Sequence, residues 1–111
     1  MKLISDSNIE GVVRLLKCLA DETRIQILQI LAVQGRMSVK DLVDNLNTSQ
    51  PNVSKHLQTL FQGGLVQSER QGSTIFYFLA DERVMQICDA VCDNYRIILS
   101  KKAKLIKKQL G

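Results

Sequence analysis

The 111-residue chain has few of the features of an exported, membrane-spanning or disulfide-linked protein. It has no tryptophan, one proline and six glycines, so breaks are few and a mostly helical chain with short connections is expected. No apolar run approaches the roughly 20 residues that span a bilayer, and the apolar pair near the start is too short for a secretory leader. Three cysteines, an odd number with no Cys-x-x-Cys pair, favour free thiols in a reducing compartment. We therefore expect a cytoplasmic protein without a membrane partner.

The sequence also shows no combination of side chains that is typical of a catalytic site. His56 is the only histidine, and it would need a cysteine from another part of the chain to form a nucleophile and base. The sequence shows no obvious carboxylate pair and no glycine-rich phosphate loop. Catalysis is not expected.

The size and charge of the chain limit the number of domains and the kinds of partner that it can have. A chain of 12.5 kDa with 45% hydrophobic residues can bury one core, which predicts a single domain. The net charge of +4 is a mild bias toward polyanions, and its excess lies late, because residues 81–111 carry seven basic and four acidic side chains. Five lysines without an intervening acid make the end of the chain locally positive: Lys101, Lys102, Lys104, Lys107 and Lys108.

Helix start and stop signals predict two helices in the first third of the chain. Ser7-x-x-Glu10 has the form of a capping box and predicts a first helix that runs to about Cys18. Asp21 can cap a second, mostly buried helix, which Gly35 ends.

Residues 38–61 are predicted to form two helices joined by a tight turn. Ser38 opens a short third helix, with apolar side chains inward at Val39, Leu42, Val43 and Leu46. Ser49 opens a fourth helix, whose first turn tolerates Pro51. Its inner face is apolar and consists of Val53, Leu57, Leu60 and Phe61. At 100° per residue, the opposite side is polar with almost no acidic charge, and it presents Pro51, Asn52, Lys55, Gln58 and Gln62.

A β-hairpin is predicted after Gly63 and Gly64, which end the fourth helix. Residues 65–69 and 74–79 have the composition of short strands. The segment between them, from Arg70 to Ser73, forms a basic tip of small residues.

The last helix is predicted from Asp81 to about Lys108, a length of roughly 40 Å at 1.5 Å per residue. Its apolar residues form two stripes, which indicate two partners, its own domain and a second subunit. One stripe has spacings of 4, 3, 4 and 3 and is the expected dimer interface, formed by Val84, Cys88, Val91, Tyr95 and Ile98. The other recurs every seven residues at Met85, Cys92, Leu99 and Ile106.

This order of elements is that of a winged helix-turn-helix, mainly α with a small β-hairpin and a long C-terminal dimerisation helix. We expect one DNA-binding domain over residues 1–111, with the helix-turn-helix at 38–61, the wing at 65–79 and dimerisation helices at 1–19 and 81–108. Amides, hydroxyl groups and one lysine on the fourth helix can bond base edges and phosphates of double-stranded DNA. Arg70 could reach a phosphate or a narrow minor groove. A winged helix used only for protein contacts is the alternative function.

Four ordered segments also resemble a known family: residues 16–28 (LKCLADETRIQIL), 49–57 (SQPNVSKHL), 64–66 (GLV) and 75–77 (IFY). Together they make nearly the whole chain similar to the ArsR/SmtB family of bacterial and archaeal repressors. The resemblance implies a homodimeric winged-helix repressor that releases operator DNA when an inducer, often a metal or metalloid ion, binds. Motif position, the helix face and the wing together give the candidate DNA contacts Gln50, Pro51, Asn52, Ser54, Lys55, His56, Gln58, Arg70 and Ser73.

The inducer sites frequent in that family are not matched. A thiolate site before the recognition helix needs a cysteine pair near residues 41–45, where the chain has none. The site on the last helix needs Asp and His ligands near its start and His or Glu about three turns later, and only Asp93 stands at a matching position. A zinc or nickel site of that kind is not expected.

The cysteines leave three alternatives open. Cys88 and Cys92 are four residues apart on one helix, and with Cys18 they could bind a soft ion such as arsenite, antimonite, cadmium or lead. A thiol pair could instead sense oxidants or sulfur species. All three cysteines could also be structural, since cysteine packs as a small hydrophobic residue, and no cofactor would then be required.

Overall fold

The computed structural model describes residues 5–110, which form two compact units that divide between Asp81 and Glu82. The first unit contains four helices and three strands, namely α1 (Asp6–Leu19), α2 (Glu22–Gln34), β1 (Met37–Ser38), α3 (Val39–Asn45), α4 (Gln50–Gln62), β2 (Val66–Gln71) and β3 (Thr74–Leu79). The second unit is the long helix α5 (Arg83–Leu110). This is the mainly helical, winged helix-turn-helix architecture that the sequence predicts.

Three of the four helices of the first unit begin at the predicted cap. The Asp21 carboxylate accepts the backbone N–H of Arg24 at 3.0 Å, and the Ser49 hydroxyl accepts that of Asn52 at 3.3 Å. Ser38 forms a capping box with Asp41. These side chains satisfy N–H groups that have no partner within the helix.

The prediction for the start of α1 is wrong. The helix begins at Asp6, so Ser7 lies inside it and makes no capping box with Glu10. Ser5 takes the capping position, but its hydroxyl lies 3.0 Å from that of Ser7 and bonds no backbone N–H. A serine pair two residues apart therefore competes with the cap that the sequence motif indicates.

The core of the first unit lies between α2, α3, α4 and the sheet. It contains the completely buried side chains Ile27, Leu28, Leu42, Val53, Leu57, Leu60 and Val66.

The structure corrects two predictions about the burial of helices α2 and α4. Only one side of α2 is buried, since Val33 is 81% exposed, and Phe61 is 46% exposed rather than inward. The buried side of α4 is rotated away from Phe61, because His56 occupies the opposite edge of its inner face.

The sheet has three strands in the order β1-β3-β2, one more than the hairpin that was predicted. β1 is only two residues long and pairs Met37 with Tyr77 and Ser38 with Phe76. Arg36, just before β1, lies over the rings of Phe76 and Phe78 and forms an ion pair with Glu69 at 3.2 Å. These contacts join the wing to the start of the helix-turn-helix.

Helix α5 begins two residues later than predicted and continues to Leu110. Val84 is buried in the single chain, whereas Val91, Tyr95 and Ile98 are at least half exposed. The predicted dimer stripe is therefore open to a partner from Val91 onward. None of the helices within residues 5–110 has the length and apolar character needed to cross a membrane.

Truncating the centre of the core should destabilise the fold strongly. We expect Leu57→Ala to lower the free energy of unfolding by about 2–5 kcal/mol, since it removes buried methyl groups and leaves a cavity. The neighbouring change Gln58→Ala, on the exposed side of the same helix, should stay within about 0.5 kcal/mol. Urea unfolding at one protein concentration measures both, and equal losses would contradict this orientation of α4.

Candidate nucleic-acid interface

The outer side of α4 is an exposed polar surface. Gln50, Pro51, Ser54, Lys55 and Gln58 are all exposed. Helix α4 contains no acidic residue, and Lys55 stands near its middle. A side chain that donates hydrogen bonds to bases or phosphates therefore meets no repulsion from its own helix. We refer to these five residues as the α4 polar face.

Asn52 does not belong to this face, although the helical wheel places it there. Its side chain is half-buried, and Nδ2 donates to Oγ1 of Thr48 at 2.8 Å. The Asn52 amide thus braces the turn between α3 and α4. Within the single chain, this amide is therefore engaged at the point where the chain enters α4.

His56 is the clearest departure from the predicted set of DNA contacts. Its side chain is 8% exposed and lies on the inner side of α4. Nδ1 is 3.1 Å from Nη1 of Arg24 and 3.7 Å from Oδ2 of Asp21. Burial against these two residues of the neighbouring helix removes His56 from the exposed surface.

The wing presents its candidate residues near a tight turn. The last pair of the hairpin joins Gln71 to Thr74, so Gly72 and Ser73 form a two-residue connection. Gly72 has φ 63°, a conformation that glycine adopts without steric cost. Arg70 is paired with Ile75 within the ladder rather than placed at the tip, and both Arg70 and Ser73 are exposed.

Arg24 and Asp21 were not predicted as site residues. Arg24 lies in the first turn of α2, where the helix dipole disfavours a positive charge, and this conflict was the available signal of a tertiary partner. The pKa of Asp21 is lowered from 3.8, chiefly by the backbone N–H of Arg24 and further by the positive charge of Arg24 and, when it is protonated, of His56. Burial of the Asp21 carboxyl opposes this effect. The carboxylate is therefore held in its ionised form.

The three cysteines occupy different environments. Cys18 is buried, and its Sγ would lie 2.7 Å from a Cβ placed on Gly63 at the end of α4. Cys88 is half-buried and Cys92 is exposed. Burial, and then the charge of Asp89, raise the pKa of the Cys88 thiol, which disfavours the thiolate that binds metal ions.

The donor set for a metal ion is incomplete within the described part of one chain. No group of three or more His, Cys, Asp or Glu residues among residues 5–110 is arranged to hold one. Cys88 and Cys92 supply two thiols one helical turn apart on α5, and thiolates are the ligand type that soft ions favour.

Comparison with known proteins gives a consistent picture. The family model of bacterial regulatory proteins of the arsR family matches residues 21–68. An HTH-type transcriptional regulator of Methanocaldococcus jannaschii is 37% identical over 82 residues, which cover 74% of this chain and 92% of that protein.

Solved structures are similar over most of the chain. The solution structure of a homodimeric winged helix-turn-helix domain from Mycobacterium bovis, a possible ArsR-family regulator, has a TM-score of 0.70 at 33% identity. The match covers 84% of this chain and 91% of that one. The antimony-specific transcriptional repressor AntR has a TM-score of 0.74 at 28% identity, with 90% of each chain covered.

Proposed function

This chain belongs to the ArsR family of winged-helix transcriptional regulators, and we propose that it acts in the cytoplasm as a homodimeric, sequence-specific repressor that binds operator DNA. As a member of that family it is a regulator and not an enzyme. The α4 polar face carries the proposal, because it is an exposed row of amide, hydroxyl and ammonium groups on the second helix of a helix-turn-helix.

The two parts of the interface have different tasks in this proposal. Gln50, Ser54 and Gln58 supply hydrogen-bonding groups that distinguish base edges in the major groove, while Lys55 bonds a phosphate or a guanine. Arg70 and Ser73 on the wing contact the backbone or the minor groove. Arg70 lies in the paired part of the hairpin, so its position is fixed more firmly than that of a residue at the tip.

The charge of Lys55 tests the interface directly. Lys55→Glu should almost abolish binding to a short duplex selected by the wild-type protein from a random-sequence pool, because it replaces attraction to phosphates with repulsion. Fluorescence anisotropy measures the affinity, and circular dichroism should show an unchanged melting curve. Lys104→Glu makes the same charge change on α5 and should cost far less affinity. Retained affinity in Lys55→Glu would place the contact surface elsewhere.

Dimerisation is proposed through α1 and α5. Each has apolar side chains that remain exposed in the single chain: Ile9, Val13 and Leu16 on α1, and Val91, Tyr95 and Ile98 on α5. Apolar surface of this extent is typical of an interface. The Mycobacterium bovis domain is homodimeric, which supports dimerisation of this chain. A two-fold dimer would present two copies of α4 to successive turns of the major groove.

A charge in the α5 stripe should disrupt this assembly. We expect Val91→Asp to dissociate or unfold the dimer, because a buried carboxylate among apolar side chains costs several kcal/mol. Ala90→Asp is the matched control, since Ala90 is exposed and lies off the stripe. Sedimentation velocity reports the assembly, and an unchanged dimer in the Val91 variant would exclude this stripe as the interface.

The cysteines are proposed to be structural rather than a complete metal site. Cys18 is enclosed by the first unit, and α5 contributes only two thiols, one of them with a raised pKa. Metal-responsive relatives such as the antimony-specific repressor show that the family includes metalloid sensors. Within residues 5–110 of a single chain, no group of three or more His, Cys, Asp or Glu side chains is arranged to hold an ion.

Addition of thiophilic ions provides the test. Arsenite, antimonite and cadmium should leave the operator affinity of the fully reduced protein unchanged, because no complete set of thiolates is available to bind them. Release of DNA by one of these ions would contradict the proposal. If Cys92→Ser then abolished the response and Cys18→Ala did not, the ion site would include α5 thiols and additional donors, such as those of a second subunit.

A further inference from the structure

The Arg24 guanidinium joins three helices of the first unit. Nε donates to the carbonyl oxygen of Cys18 at 2.6 Å, and Nη2 donates to that of Lys17 at 2.9 Å. Both carbonyl groups lie at the C-terminal end of α1, where the helix dipole attracts positive charge, and that of Lys17 also accepts the backbone N–H of Ala20. Nη1 lies 3.1 Å from Nδ1 of His56 on α4. A side chain of α2 therefore connects the end of α1 to the middle of α4.

This arrangement fits the tautomer of His56 in which Nδ1 carries no hydrogen. A guanidinium group has donors and no acceptor, so Nδ1 of His56 must be unprotonated to accept from Arg24. The imidazole is then neutral, with its hydrogen on Nε2. The carboxylate of Asp21 lies 3.7 Å from the same Nδ1. Because the Asp21 carboxyl has a lowered pKa, it is ionised throughout the range in which histidine titrates.

The cluster thus has two alternative hydrogen-bonding states. Neutral His56 accepts from Arg24, whereas a proton on Nδ1 would face the guanidinium charge and find its acceptor in Asp21. Arg24 and Asp21, both from the start of α2, are the charged groups at His56, and α1 contributes only backbone carbonyl groups through Arg24. Protonation would therefore exchange an interaction that reaches α1 for one confined to α2 and α4.

We propose, building on the DNA-binding function above, that Arg24 and His56 are positioning residues for α4 and that protonation of His56 weakens operator binding. The bond from Arg24 to neutral His56 holds α4 in its DNA-binding orientation. His56 directly follows Lys55 of the α4 polar face, so a displacement at His56 moves that face. Histidine is the side-chain type whose charge ordinarily changes between pH 5 and 8, and His56 is the only histidine of the sequence, so comparison with a variant that cannot be protonated at this position isolates its contribution.

The test compares pH profiles of operator binding by the full chain. With the selected duplex and constant salt, lowering the pH from about 7.5 to about 5.5 should weaken binding by the wild type about tenfold, the size expected for one charge-assisted hydrogen bond. His56→Asn keeps an acceptor near the position of Nδ1 and cannot be protonated. It should bind as the wild type does at the higher pH and show a flat profile.

Two further variants separate positioning from packing. His56→Gln fills the site but places the glutamine amide beyond the position of Nδ1. The operator affinity of this variant should therefore be low at every pH. Arg24→Lys keeps the charge but loses the planar arrangement of donors, and it should also lose the pH dependence. Circular dichroism must show that each variant is folded at both pH values. Equal pH dependence in the wild type and His56→Asn would overturn the proposal.

A measurement on the free protein tests the interaction between Arg24 and His56 separately from the proposed DNA-binding function. Nitrogen-15 NMR of the free protein at about pH 7.5, above the usual range of histidine titration, should show His56 neutral with its hydrogen on Nε2. A hydrogen on Nδ1 would overturn the Arg24 interaction whatever the DNA results. Failure of the wild type to select or bind any duplex would overturn the DNA-binding function, even with the expected tautomer present.

Discussion

The burial of one side of α4 is the constraint on which the rest of the structure depends. Val53, Leu57 and Leu60 have no exposed surface, and each buried side chain of this size contributes roughly 1.5–3 kcal/mol. The polar residues on the other side gain little from folding, so they do not decide how the helix is rotated. Because helical side chains repeat every 3.6 residues, fixing the inner side also fixes the direction of Ser54 and Lys55. The core thus sets the orientation of the interface, and the outer residues set its chemistry.

Most of the basic residues lie in a different part of the chain from the amide and hydroxyl groups of the α4 polar face. Lys55 and Arg70 are the only basic residues between positions 49 and 80, whereas residues 82–111 contain seven basic and three acidic side chains. In the proposed interface, recognition by α4 therefore rests on directional bonds from amides and hydroxyl groups more than on attraction between opposite charges. The five terminal lysines of α5 remain exposed and make that helix the most basic part of the chain.

Local sequence signals predicted the order of the elements and most helix boundaries. Asp21, Ser38 and Ser49 act through neighbours three residues away, so their capping roles are visible in the sequence. The two residues of β1 show no such local signal in the sequence, because they form a strand only through pairing with β3, about forty positions later. The inward position of His56 likewise depends on Arg24, thirty-two residues earlier in the chain. What the sequence alone could not supply was the set of contacts between distant segments.

Ser38 belongs to two structures at once. Its backbone pairs with Phe76 of the wing strand β3, while its hydroxyl and N–H form the capping box that begins α3. No linker separates the sheet from the helix-turn-helix at this point, so there is no flexible segment to absorb relative movement. Insertions or deletions between residues 37 and 39 would shift the hairpin and the reading helices out of register with each other. The spacing between the two proposed DNA-contacting parts, α4 and the wing, is therefore set by the fold around Ser38 and not by a free linker.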